Sequence, residues 1–240
     1  MSESVPRKTT ETLLQEIDAR LRLLEADRPT RLDGMVVSST AKLPANTLRY
    51  REALLWRIVQ LGRTAFENFE GNKLASAILL TRAAIETSAA LWCLWIKLRA
   101  ALESKALGHI NDYLVNLVMG NRTDLDVQPQ AISVLTFVND AEKGIEGFRE
   151  QYGRLSEFAH PGWAGTTLLF SKLDDSKTIV EFGENERASD TIKAVGASNL
   201  SVALAMFETG YNLVTDLMPA FVWLCERQPG PSAPSPSDEA

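Results

Sequence analysis

The chain has 240 residues, 45% of them hydrophobic and 23% charged, enough apolar material for a real core and against an intrinsically disordered protein. Its formal net charge is −6, from 31 acidic and 25 basic residues, so nothing global draws it to nucleic acid or an anionic membrane, and such binding would need a specific site. Two cysteines and two histidines, scattered along the chain, give no zinc-ligand spacing.

Residues 1–9 read as a disordered start without the apolar segment of a secretory signal, which makes the cytoplasm the default compartment. A helix follows over 10–27, capped by Thr10, with Leu14, Ile17, Leu21 and Leu24 at spacings of three and four. That narrow seam either docks on the main body or pairs with a second copy. Residues 28–45, with Pro29, Gly34 and Pro44, read as a linker.

The main body, 46–227, reads as a helical bundle. A helix from Thr47 to Glu70 turns Leu55, Ile58, Val59, Ala65, Phe66 and Phe69 inward, and Gly71-Asn72 ends it. The next, Lys73 to Ala101, is apolar nearly all round, as befits a central helix. Helix is also expected over Ser104–Met119, then a polar loop over Gly120–Gln128 and a helix with Pro129 in its first turn. The stripe Ile132, Leu135, Val138, Ala141, Ile145, Phe148, Tyr152, Leu155, Ala159 predicts that this helix runs unbroken to Pro161-Gly162.

Thr166–Leu173 and Thr178–Phe182 are rich in branched and aromatic residues and flank the turn Asp174-Asp175-Ser176-Lys177. They predict a β-hairpin at about 166–183. The last element is a helix from Asp190 to Arg227, with bends or breaks expected at Gly196, Gly210 and Pro219. The Pro/Ser-rich residues 228–240 read as a disordered tail. The fold class is thus mainly α, a helical bundle with one inserted β-hairpin.

Leu74–Leu98 and Leu200–Cys225 are apolar enough to raise the membrane question, but the first carries Arg82 and Glu86 and the second Glu208 and Asp216. A charge at a bilayer centre costs about 3 kcal/mol on insertion scales, so buried helices of a bundle are expected and no membrane span.

Polar chemistry concentrates in two places. Arg82 and Glu86 lie four apart on a helix that otherwise seeks burial, so they share a face. Removing one partner of a buried ion pair costs about 3–5 kcal/mol, so the pair either specifies packing or serves a site. In Tyr152-Gly153-Arg154-Leu155-Ser156-Glu157-Phe158-Ala159-His160-Pro161, the residues Tyr152, Ser156 and His160 form a row along the edge of the core stripe. His160 ends the helix, where an imidazole can bond the last carbonyls or serve as a general acid/base. Arg154 lies on the other side, with Glu150 four residues before it and Glu157 near it.

Lesser candidates take structural readings. Cys93 and Cys225 pack in the core, His109 is exposed, Trp163 packs beneath the hairpin, and Glu208 and Asp216 hold hydrogen-bonded structural roles.

The combination of Arg-x-x-x-Glu (Arg82, Glu86) with Tyr-x-x-Leu-Ser-x-x-x-His-Pro (Tyr152 to Pro161) resembles a group of bacterial proteins of unknown function similar to the HEPN class of helical bundles. The likeness would cover about residues 45–225. It implies a helical bundle, a homodimer, and, for the nucleases of the class, an Arg that positions phosphate and a His that assists attack by a ribose 2′-hydroxyl without metal. Arg154 and His160, with five residues between, fit that spacing; Leu155 stands where active members carry a polar residue. Two functions are therefore expected in order. The first is a non-catalytic interaction or ligand-binding module organised by Arg82, Glu86, Tyr152, Ser156 and His160, without cofactor. The second is an HEPN-type ribonuclease of phage defence or a toxin–antitoxin pair, using His160 with Arg154 or Arg82, with RNA as partner only in that case.

Overall fold

The computed structural model describes residues 9–120, 129–184 and 189–228. The expectations for 1–8, most of the loop 120–128, and the tail beyond 228 lie outside these residues. The described chain is a mainly α bundle with one two-stranded hairpin: α1 (Thr10–Ala26), α2 (Gly34–Val37), α3 (Lys42–Glu70), α4 (Leu74–Ser104), α5 (Ile110–Met119), α6 (Val134–Glu142), α7 (Phe148–Ala159), α8 (Thr167–Phe170), β1 (Ser171–Leu173), β2 (Val180–Phe182) and α9 (Ser189–Arg227).

The apolar helix α4 lies at the centre, against α3, α9, α6 and α7. It is long and apolar enough to cross a bilayer by composition, yet 67% of its most apolar window is buried inside the bundle. Helices α4 and α9 run in the same direction: Gly196 lies beside Ile78, and Gly210 beside Leu91. The Ser88 hydroxyl, fully buried, donates to the Ala203 carbonyl across the pair (2.8 Å).

The α1 seam is buried within its own chain. Ile17, Leu21 and Leu24 pack on α3 and α9, and a Cβ at Gly62 would come within 2.8 Å of Leu21. The helix is capped by Thr9, one residue before the expected Thr10, whose hydroxyl accepts from the Thr12 amide (3.2 Å). Arg63 of α3 then clamps α1, donating to Asp18 (2.6 Å) and to both oxygens of Glu25 (2.8 and 3.1 Å). Arg20 meets Glu208 at 2.5 Å, the structural role expected for that carboxylate; Asp216 lies exposed.

The Arg63 hydrogen bonds hold the Asp18 and Glu25 carboxyls below their ordinary values of 3.8 and 4.5. Carboxyls depressed in the folded state stabilise it above their unfolded pKa and lose that contribution as pH falls through the folded one. Wild type should therefore lose its stability advantage over Arg63→Met as pH falls below about 4.5, the window running down through the two depressed values. Urea unfolding of both proteins at pH 6.5 and 3.5 checks this; an advantage equal at both would show that the clamp does not hold α1.

Several boundaries depart from the sequence reading. Residues 28–45 are not all linker: α2 forms there and α3 starts at Lys42. The segment is tied to the body by Ser38 donating to Glu226 (2.8 Å) and Trp56 to the Pro29 carbonyl (2.8 Å). The expected Ser104–Met119 helix divides, because α4 runs on to Ser104 and ends at a left-handed Lys105 before α5 begins. Pro129 precedes helix rather than starting it. The long 132–159 helix is two, α6 and α7, separated around Gly147 (φ 80°). The Glu142 carboxylate caps the second, accepting from the Gly147 (3.1 Å) and Arg149 (2.6 Å) amides. Both helices face α4, so the apolar period survives the break that it cannot reveal. The hairpin strands are three residues each, and Thr167–Phe170 is a helical turn. Finally α9 is continuous through Gly196, Gly210 and the exposed Pro219. The expected breaks are absent, and its glycines admit neighbouring side chains, Phe69 at Gly196 and Leu91 at Gly210.

Candidate functional site

Two turns of α4 and the middle of α7 build the site. Helix α7 turns Phe148, Tyr152 and Leu155 into the core, which carries the Tyr152 ring to the face of α4 where Arg82 and Glu86 stand. The Tyr152 hydroxyl accepts from Arg82 Nη2 (2.7 Å) and donates to Glu86 Oε1 (2.9 Å). The Arg82 guanidinium lies over the same ring, 5.0 Å from its centroid, and its Nε is 3.5 Å from Glu86 Oε1. The two charged side chains are 27% and 21% exposed. Arg82 Nε is buried without a hydrogen bond among the described residues. One phenol thus joins both members of an ion pair to a second helix, and a charged group on each side makes those bonds stronger than neutral ones.

Of the sequence candidates, Arg82, Glu86 and Tyr152 come together. Ser156 does not join them; its hydroxyl donates to the Tyr152 carbonyl one turn back (2.8 Å). His160 is the exposed C-cap of α7, its amide bonded to the Ser156 carbonyl, and its imidazole has no hydrogen-bond partner among the described residues. Arg154 points to solvent and pairs with Glu150 at 2.6 Å, the two being 59% and 65% exposed. Arg149, Glu150, Arg154 and Glu157 alternate in sign on the exposed face of α7. Trp163, expected to pack, is 63% exposed. His109 is exposed as expected.

Sequence reasoning passed over a second network of the same composition. Arg51 of α3 pairs with its neighbour Glu52 and donates to Thr215 (2.8 Å); Tyr211 of α9 donates to Glu52 Oε2 (2.8 Å), with the Arg51 guanidinium 4.3 Å from its ring centroid. At 11% and 12% exposed this pair is more buried than Arg82 and Glu86. Adjacent helical residues do not normally face each other, so Arg51-Glu52 carried no pairing signal. The repetition matters: Arg, Glu and Tyr join α4 to α7 and, separately, α3 to α9.

A groove of about 600 Å³ between α4, α5 and α6 was also unforeseen; Lys97, Tyr113, Thr136 and Asp140 line it. The Tyr113 hydroxyl is buried there without a hydrogen-bond partner among the described residues. Burial pushes the nearby Cys93 thiol up to about 12 and Cys225 up to about 11, so neither is a ready nucleophile at neutral pH. Cys93 donates to the Phe137 carbonyl (3.6 Å), a packing role.

No family model matches the chain, and no curated protein or solved structure matches it.

Proposed function

We propose that this chain is a non-catalytic interaction module of the cytoplasm that works as a homodimer. Its Arg82–Tyr152–Glu86 network holds α7 on α4 and so fixes the pose of the segment after α7, residues 160–183, which carries exposed Trp163 and the hairpin. The observation that carries this reading is the single Tyr152 hydroxyl shared by Arg82 and Glu86, 2.7 and 2.9 Å away. The network is partly buried, and the second Arg–Glu–Tyr set joining α3 to α9 favours a packing role over chemistry. The likeness to HEPN bundles is in keeping with it, since many members of that class bind or dimerise without cleaving RNA.

The alternative is an HEPN-type metal-independent ribonuclease of phage defence or a toxin–antitoxin pair. It would need His160 as a base with Arg154 or Arg82 as an unpaired cation at one phosphate, and Arg82 is already held by Tyr152 and Glu86. Arg154 is bonded to Glu150, and Glu157 stands exposed on the same helix, which disfavours a polyanion there.

The test is incubation of single-stranded and structured RNAs with wild type and with His160→Ala, chelator present. Neither should cleave above the buffer rate. Cleavage by wild type that disappears in a folded His160→Ala protein would replace this reading with the nuclease.

A further inference from the structure

The groove between α5 and α6 runs over one row of α4. Lys97, Ala101 and Ser104, four and three apart, belong to that row; Ile110 and Tyr113 come from the α5 side, and Ile132 and Thr136 from the α6 side. Its volume, about 600 Å³, falls within the range of small-molecule sites, roughly 300–1,000 Å³. The corner joining α4 to α5 also lines it and is braced by the last turn of α9. There the Gln228 side chain accepts from the Leu107 amide (3.2 Å) and donates to the Lys105 carbonyl (2.9 Å). A wall fixed in advance need not be ordered by a ligand, which favours binding.

Two polar groups here lack partners. The Tyr113 hydroxyl bonds to nothing among the described residues, and a buried donor left unbonded is costly and rare in native proteins. Burial holds its pKa above the ordinary phenol value, so at neutral pH it is a donor. Lys97 lies over the same ring, its Nζ 5.5 Å from the centroid, and meets no carboxylate among the described residues. The two acids that border the groove do not pair with it. Asp140 is bonded to Lys143 (2.6 Å), and Asp112, 74% exposed, faces His109 (3.7 Å). The groove thus holds an unused donor beside an unpaired cation, between apolar walls.

We propose that this groove binds a small carboxylic acid with an apolar tail. The carboxylate draws the Lys97 ammonium off the Tyr113 ring, opens the way to the hydroxyl beneath, and accepts a hydrogen bond from each. The tail lies along Ala101, Ile110 and Ile132. An acceptor is what both unpartnered groups lack, and a carboxylate brings two oxygens and the opposite charge. A neutral ligand would leave the ammonium unpaired, and an amine would set a second cation beside it. This site is separate from the Arg82–Tyr152–Glu86 network, and the inference does not depend on the homodimer.

The experiment titrates the ¹⁵N-labelled full chain with octanoate, octanol and octylamine, following amide shifts by NMR. Wild type should bind octanoate most tightly, with the largest shifts in α5 and α6. Tyr113→Phe should weaken octanoate about tenfold, the loss of one hydrogen bond to a charged group. Its urea midpoint should stay at or above that of wild type, because the hydroxyl bonds to nothing in the free protein; a lower midpoint would make the hydroxyl structural and overturn its role. Lys97→Gln, at an exposed position, should weaken octanoate about threefold to fivefold and erase the preference over octanol. Octanol bound as tightly as octanoate by wild type would overturn the carboxylate, and octylamine bound best would show that Asp140 selects a cation instead. Octanoate bound equally by wild type and both variants, or not at all at millimolar concentration, would overturn the site.

Discussion

Arg82→Ala is expected to lower the unfolding free energy by about 2–3 kcal/mol. The substitution leaves Glu86 and the Tyr152 hydroxyl facing an emptied space, and an unpaired charge in a mostly covered site destabilises more than the intact pair stabilised. The figure lies below that for a wholly buried pair because both side chains keep about a quarter of their surface in water, where the field is screened. Tyr152→Phe, which removes only the shared hydroxyl, should cost about 1–2 kcal/mol. The double replacement Arg82→Met with Glu86→Leu should cost less than Arg82→Ala alone, since it removes both charges together and refills the space. Urea unfolding at one fixed protein concentration, where a dimer cannot shift the midpoint between samples, measures all three. If the double variant loses as much as Arg82→Ala or more, Glu86 left unpaired carries no penalty and the three side chains do not act as one latch on α7. Hydrogen exchange gives the functional counterpart: amides of α7 should exchange faster in Tyr152→Phe while those of α3 stay unchanged.

Phe69→Ala should cost about 3–5 kcal/mol, the range for an aromatic ring deleted from a closed core. Phe69 is fully buried where α3 ends, and it fills the space beside Gly196 of α9: a Cβ there would lie 2.7 Å from its Cε1 and Cζ. Gly196→Ala gains about 1 kcal/mol of helix propensity but forces a ring with no free space to move, so a net loss of about 1–2 kcal/mol is expected. The two positions should be coupled. In a Phe69→Leu background, where the side chain is smaller, Gly196→Ala should become neutral or stabilising. A double-mutant cycle by thermal or urea unfolding decides it, and strictly additive effects would show that the glycine serves no close approach.

Much of the architecture could be read from apolar periodicity. The central place of α4 follows from a stretch apolar nearly all round, with Arg82 and Glu86 as its exceptions. The hairpin follows from two branched and aromatic runs around Asp174-Asp175-Ser176-Lys177. The candidate site was half legible: spacing put Arg82 with Glu86 and placed Tyr152 on the inner stripe. The grouping of Ser156 and His160 with them did not follow, because a helical row shares an edge without sharing depth. One turn past Tyr152 the row reaches the half-buried Ser156, which bonds its own backbone, and a turn later the exposed end of the helix. Arg51 and Glu52 were illegible for the opposite reason, since their pairing depends on Tyr211, far along the chain.

The sequence by itself determined where helices form and which stripe of each avoids water, because both depend on neighbours within a few residues. The break between α6 and α7 is local too, with Gly147 at φ 80° and Glu142 capping α7 from five and seven residues back, although the apolar period hides it. Tertiary structure alone decided that α9 passes its glycines and proline unbroken, and which polar groups meet. Those outcomes rest on what packs against a segment from elsewhere in the chain: Phe69 entering the gap at Gly196, and one phenol from α7 arriving between two charges on α4.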